Sequence, residues 1–243
     1  MSDAKTSALD AVVRDLVAGN RILAHEGIVD AMGHISARHP GNPKRYLLAW
    51  ARSPGLVEAG DIMEFELDGT PIDGRGRPVY IERHIHGAIY ESRPEVMSVI
   101  HNHCQEVLPF AITRTPMRPA VHTARRLGNA VPVWDIHDRF GDTDLLVTTM
   151  EQGRDLASVL RATKAVLMRG HGCAVTGDSI PDAVHSAIAM KGNARAIIEG
   201  LALGGEITYL TPGEVTAEMA GRASLKGFDR AWEYLCRRAG VKA

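Results

Sequence analysis

The chain has almost no net charge. Lys and Arg total 28 against 29 Asp and Glu in 243 residues, which leaves −1. Sequence-independent nucleic-acid binding draws its affinity from basic surface, so no nucleic-acid partner is expected. No uncharged apolar run is long enough to cross a bilayer, so no membrane partner is expected either. Residues 1–16 scatter Asp3, Lys5, Asp10, Arg14 and Asp15 among their apolar residues and carry no signal-peptide core. Three cysteines, Cys104, Cys173 and Cys236, are too few and too dispersed for a disulfide framework. Together these absences lead us to expect a cytoplasmic protein. Lysine is also scarce: Lys5, Lys44, Lys164, Lys191, Lys226 and Lys242 are all there is. None lies among the clustered histidines, which argues against Schiff-base chemistry. No G-x-G-x-x-G follows an expected strand, so a dinucleotide or flavin site has no motif.

What is present suits a packed core: 45% of residues are apolar and 23% charged, ordinary for a globular chain that needs no disulfides. We expect a single mixed α/β domain over residues 1–243. Apolar spacing predicts helices over 8–26, 81–92, 153–163, 178–203 and 229–239. In the second of these, Ile81, Ile85, Ala88 and Ile89 should share a buried face. Short apolar or alternating runs predict strands over 33–38, 45–51, 62–67, 96–103, 165–168 and 173–176. Residues 107–112 fit a helix start or a strand.

Histidine is in excess, with eleven residues, several of them clustered. The sharpest cluster is Val99-Ile100-His101-Asn102-His103. In a strand, residues two apart share a face, so His101 and His103 project together. Paired imidazoles at a strand edge are a common way to hold a divalent metal, although two hydrogen-bonded surface histidines have the same spacing. His171 sits between Gly170 and Gly172, where the backbone can turn sharply; a plain polar turn is the alternative. Glu82 lies near the start of a helix, one turn from His86, where a solvent-facing carboxylate is also common. Spacing alone does not bring these residues together.

The strings Glu82-Arg83-His84-Ile85-His86, Arg93-Pro94-Glu95-Val96, His101-Asn102-His103 and His171-Gly172 resemble the class II aldolase/adducin family in order and spacing. Gly33-His34-Ile35-Ser36-Ala37-Arg38 adds to the resemblance, which runs from about Leu9 to Leu203. It implies a three-layer α/β/α fold with a central mixed, largely antiparallel sheet. It implies a homotetramer with active sites at subunit interfaces. It also implies one divalent metal ion per chain, Zn²⁺ or Mn²⁺, with Co²⁺ or Mg²⁺ as further options. His101, His103 and His171 would be its ligands, and Glu82 a fourth ligand or an acid–base group.

Sugar-phosphate aldolases of this family bind phosphate through G-N-[ILV]-S, T-G and P-S-S elements. Here His34 replaces the Asn, Arg52-Ser53-Pro54-Gly55 surrounds the second element, and Val79-Tyr80-Ile81 replaces P-S-S. The phosphate hydroxyls of that last run are gone. His34, Arg52 and Ser53 instead suit a small-molecule carboxylate, since a guanidinium fork matches a carboxylate. Tyr80 and Ile81 suit a flat ring. With Phe140-Gly141-Asp142-Thr143-Asp144, this set resembles the family's decarboxylase branch. We therefore expect a lyase that decarboxylates a hydroxy-aromatic carboxylate, or a carboxylated ring-cleavage semialdehyde, through a metal-stabilised enolate. Glu82 is the expected acid, with His86 and Tyr80 as helpers. A metal-dependent aldolase or epimerase is the alternative. A non-catalytic adducin-like domain is expected to lack these histidines.

Overall fold

The structure is a computed structural model that describes residues 2–72, 74, 76–217 and 225–242. Its strands are β1 (His34–Arg38), β2 (Arg45–Ala49), β3 (Ile62–Glu66), β4 (Ser98–Asn102), β5 (Val133–Trp134), β6 (Ala165–Met168) and β7 (Gly172–Gly177). They form one sheet in the order β3-β2-β1-β4-β7-β6-β5. Every neighbouring pair is antiparallel except β5–β6. The helices are α1 (Ser2–His25), α2 (Arg83–Ser92), α3 (Leu108–Ile112), α4 (His137–Phe140), α5 (Met150–Leu160), α6 (Ile180–Ala202), α7 (Pro212–Thr216) and α8 (Leu225–Arg238).

A sheet with helices on both faces needs apolar residues at successive strand positions, and most strands here are buried throughout. Ile35, Ile100, Leu167 and Val175 pack under Leu16 and Ile22 of α1, Met190 and Ile197 of α6, and Trp232 of α8. Leu48, Phe65, Val99 and Val166 pack on the other face under Ile85 and Ile89 of α2 and Leu156 and Leu160 of α5. The result is the α/β/α layering expected from the sequence. Side-chain caps fix the starts of α5, α6 and α7. The Thr149 and Gln152 side chains form a capping box on α5, and the Ser179 hydroxyl accepts the Asp182 amide at the start of α6, where Pro181 is in the first turn.

Residues 108–112 take the helical of the two readings that the sequence left open. Other details differ from the sequence expectations: β5, only two residues long, carried no periodic signal. Ile81 is not on the buried face of α2: it precedes the helix and is 57% exposed. Glu82 holds the cap position with φ −86° and ψ 16°, so the chain turns there and the glutamate, not the isoleucine, faces inward.

Helix α2 lies very close to its neighbours. A Cβ at Gly87 would sit 2.0 Å from the Leu67 carbonyl oxygen, a backbone atom that cannot swing away. Gly87→Ala should therefore destabilise the fold by about 1–3 kcal/mol, despite the higher helix propensity of alanine. Denaturant unfolding measures this, and an unchanged midpoint would contradict the packing described.

Candidate metal centre

Strand β4 runs antiparallel to both neighbours, with His101 opposite His34 on β1 and Asn102 opposite Cys173 on β7. Alternation puts Val99 and His101 on the α2 face, and Ile100 and Cys104 in the core of the other face. Cys104 thus packs away from the histidines. His103 lies one residue past β4 and remains beside His101, with 3.1 Å between their Nε2 atoms. His171 sits in the turn from β6 to β7. Gly170 has a φ of +68°, and a Cβ at Gly172 would be 2.2 Å from the Asn102 carbonyl and 3.0 Å from the His103 ring. Both glycines are thus needed to bring the His171 ring against the other two.

One ligand atom each from Glu82, His101, His103 and His171 falls within 4.8 Å of all the others. Oε2 of Glu82 is 3.2 Å from His101 Nε2 and 3.4 Å from His171 Nε2. The outward nitrogens decide what this cluster can do. Nδ1 of His101 faces the Cys173 carbonyl at 3.2 Å, and Nδ1 of His171 faces the Leu145 carbonyl at 2.9 Å. Nδ1 of His103 faces the Asp30 carboxylate at 3.1 Å. A carbonyl or carboxylate only accepts, so each Nδ1 carries a hydrogen; once a ring has lost any second proton, which the Glu82 carboxylate favours on His171, it turns a bare Nε2 inward. Ligating histidines are usually oriented in this way by their outer partners. Three bare nitrogens and a carboxylate fit Zn²⁺ and also Mn²⁺ or Co²⁺, so the residues suit the ion that the sequence led us to expect.

Burial alone would raise the pKa of Glu82, but the His101 and His171 rings outweigh it and hold the carboxyl well below the usual range. Its Oε1 accepts the Val147 amide at 3.0 Å. His171 is pushed up: burial opposes its charge, and the hydrogen bond and charge of Glu82 more than compensate. His103 is pushed down by burial and by His101, with Asp30 partly offsetting both.

The other expected site residues form two groups that meet where the His34 ring lies against Tyr80. The His34 ring lies 4.4 Å from the Tyr80 ring and 5.2 Å from the His101 ring. His86 is fully buried, with one ring nitrogen 2.6 Å from His34 Nδ1 and the other 2.6 Å from the Ser36 hydroxyl. It therefore contacts His34 and Ser36 and presents neither nitrogen to a ligand. Burial drives its pKa down to about 3 and that of His34 well down, so both rings are neutral. The Tyr80 hydroxyl donates to the Arg52 carbonyl, and burial lifts its pKa to about 12. The Arg52 guanidinium pairs with Asp61 at 3.1 Å, and Asp61 also accepts the Trp50 indole N–H. Ser53 precedes the short 3₁₀ turn Pro54–Leu56, and its side chain caps nothing.

Sequence reasoning missed Asp30, Leu145 and Val147. Asp30 also accepts the Met32 and Gly33 amides. That local Asx turn was the signal available, as Asp30 stands three residues before Gly33. Leu145 and Val147 act through backbone atoms, which leave no mark in a sequence. Leu145 has a φ of +67°, a conformation costing a leucine about 1–3 kcal/mol, and its carbonyl is the one that orients His171.

A largely antiparallel α/β/α sheet presenting three histidines and a glutamate defines a class of metal-site fold. Residues 14–198 match the Class II Aldolase and Adducin N-terminal domain, and the chain belongs to that family. Decarboxylase tropJ of Talaromyces stipitatus is 36% identical over 196 residues, 75% of this chain and 74% of its own. A 3,4-dihydroxyphthalate decarboxylase of Arthrobacter keyseri is 27% identical over 88% of each chain. The crystal structure of an aldolase II superfamily protein from Pseudomonas syringae shares the fold with a TM-score of 0.79, at 21% identity over 94% of this chain and 92% of its own.

If Asp30 orients His103, Asp30→Ala should weaken divalent-metal binding by about 10–100-fold while leaving unfolding nearly unchanged. Because the pKa of His171 is raised, metal must displace its proton. Apparent affinity should therefore fall as pH drops, by up to about tenfold per unit for each proton displaced. Calorimetric titration of wild type and variant against pH tests both points. A pH-independent affinity, or an unchanged Asp30→Ala, would contradict the tautomer assignment.

Proposed function

We propose that this chain is a divalent-metal-dependent decarboxylase of a non-phosphorylated hydroxy-aromatic carboxylate, or of the carboxylated semialdehyde from ring cleavage. The observation that carries the reading is the lining beside the Nε2 cluster. Neutral His34 stands there with the Tyr80 ring against it, and the Tyr80 hydroxyl in turn donates to the carbonyl of Arg52, whose guanidinium pairs with Asp61. Those groups suit a planar anion and a ring, and the hydroxyl run that would cradle a tetrahedral phosphate is absent. The 36% identity to a decarboxylase, and a second relative whose name specifies a dihydroxyphthalate, support the same class.

His101, His103 and His171 would hold the ion, with Glu82 as fourth or alternative ligand. Bound there, a divalent ion supplies Lewis-acid stabilisation to a substrate hydroxyl or keto oxygen. The chain's own residues do the rest. His34 and Arg52 hold the carboxylate, Arg52 with its guanidinium braced by Asp61. The bond between ring and carboxylate breaks heterolytically and CO₂ leaves neutral. Its electron pair delocalises towards the substrate oxygen, and one proton is then delivered to carbon. Glu82 is the proton carrier we assign: it stands as a carboxylate, so it first accepts the substrate's hydroxyl proton and then returns it to carbon. Tyr80 and His86 act by position, because the phenol and both imidazole nitrogens are held by protein atoms.

The reading includes a cytoplasmic homotetramer with sites at subunit interfaces. Met32 and Ile81, which flank the site in sequence, are 70% and 57% exposed, as expected of apolar residues that a neighbouring subunit covers. Among the described residues no helix is long and apolar enough to cross a membrane.

Isotope-labelled CO₂ release from a panel of ortho-hydroxy-carboxylates is the test. Activity should vanish with a chelator and return with metal. Arg52→Ala should raise KM by about tenfold or more while keeping its metal, since a hydrogen bond to a charged group is worth about 1.5–3 kcal/mol. Retro-aldol cleavage of a sugar phosphate, with no CO₂ from any compound, would overturn the proposal.

A further inference from the structure

A second polar chain lies under α2, beside the metal cluster. Tyr90 OH is 2.8 Å from Ser36 Oγ, Ser36 Oγ is 2.6 Å from His86 Nδ1, and His86 Nε2 is 2.6 Å from His34 Nδ1. All four residues are at most 2% exposed. Ring contacts with Tyr46 and the Arg38 guanidinium hold Tyr90 in place, and the Ser98 hydroxyl donates to the Ser36 carbonyl. No hydrogen bond within the described residues takes His34 Nε2, and that nitrogen is not sealed in.

Counting hydrogens fixes the direction of this chain. Two hydroxyls and two neutral imidazoles bring four hydrogens to three contacts. In one order Tyr90 donates to Ser36, Ser36 to His86, and His86 from Nε2 to His34. The fourth hydrogen then sits on His34 Nε2, at the open end. In the reverse order His34 donates to His86 and His86 to Ser36. Two hydroxyl hydrogens are then left with one contact, so one is buried with no acceptor and bears its full desolvation cost. The Val99 carbonyl, which also faces the His86 ring, would favour the reverse order but relieves neither hydroxyl.

We infer that Ser36 is a positioning residue: acting through His86, it holds His34 in the Nε2–H form, so that His34 offers an N–H donor, not a lone pair, to an anionic group of the substrate. This rests on the proposed role of His34 as a carboxylate contact. A bare Nε2 would repel a carboxylate; an N–H at that atom recognises it without adding a charge beside the ion.

The same count separates the variants. Removing the Tyr90 hydroxyl leaves Ser36 still donating to His86. Removing the Ser36 hydroxyl lets His86 turn its hydrogen to the Val99 carbonyl and accept from His34, which strips the hydrogen from His34 Nε2. Ser36→Ala should therefore raise KM for the carboxylate about fivefold to tenfold, with kcat and bound metal little changed. Tyr90→Phe should shift KM less than about twofold, although it alters the larger side chain. Equal effects of the two variants, or an unchanged KM in Ser36→Ala, would overturn the inference. Neutron diffraction from deuterium-exchanged crystals of the metal-loaded wild type reads the tautomers directly. Deuterium is expected on Nε2 of His34 and of His86. Deuterium on His34 Nδ1 overturns the inference whichever reaction the enzyme catalyses, whereas absence of CO₂ release bears on the proposed reaction alone.

Discussion

The Nε2 atoms of His101 and His103 approach each other to 3.1 Å with both Nδ1 atoms already donating, a contact that needs a cation or a proton between them, and a third ring and a carboxylate complete the cluster here. The arrangement persists because the protein satisfies the other side of every ring. The Cys173 carbonyl, the Asp30 carboxylate and the Leu145 carbonyl each take an Nδ1–H, and none can be exchanged for a donor. Much of the local structure follows from that constraint. Leu145 adopts a left-handed backbone, and Gly170 and Gly172 allow a turn tight enough to press His171 against β4. Helix α2 begins one residue after Glu82, so that the carboxylate falls between two of the rings. A cation at the centre would convert this close approach into ligation.

The sheet makes the constraint affordable in geometric terms. Antiparallel pairing of β1, β4 and β7 sets His34 directly opposite His101 and places the His171 turn at the end where β4 runs out into His103. Beneath α2, that same face continues into the Ser36, His86 and Tyr90 chain. The histidine–glutamate cluster and the buried hydrogen-bonded chain are therefore neighbours on one face, and His34 is where they meet. Charge is confined to the first, where an ion can balance it. The second stays neutral, as its burial requires.

Much of this was legible in the sequence, for identifiable reasons. A period of two puts His101 and His103 on one face whatever the surroundings, and flanking glycines mark the tight turn at His171. The mixed α/β character followed from short apolar or alternating runs set among segments of helical periodicity, whereas the three-layer arrangement was implied by the family resemblance. Glu82 was named by family resemblance, since a carboxylate near a helix start has many ordinary roles. Residues that act through long-range pairing were harder to assign. Arg52 reads as a carboxylate contact or an ion-pair partner, and only folding shows that Asp61 is the carboxylate against it. His86 reads as a helper one turn from Glu82, yet the helix rotates it onto Ser36 and His34. Ile81 fitted the helical spacing but fell outside α2, because the turn at Glu82 took precedence. The Leu145 carbonyl and Val147 amide belong to the backbone, so no residue type could announce them.

The account depends on an ion at the meeting point of the three Nε2 atoms. X-ray diffraction from crystals of the purified protein, recorded on both sides of the bound metal's absorption edge, tests this most directly. One anomalous peak per chain is predicted, about 2.0–2.1 Å from Nε2 of His101, His103 and His171 if the ion is zinc. No peak there in a protein that carries stoichiometric metal, or a peak on other residues, would contradict it.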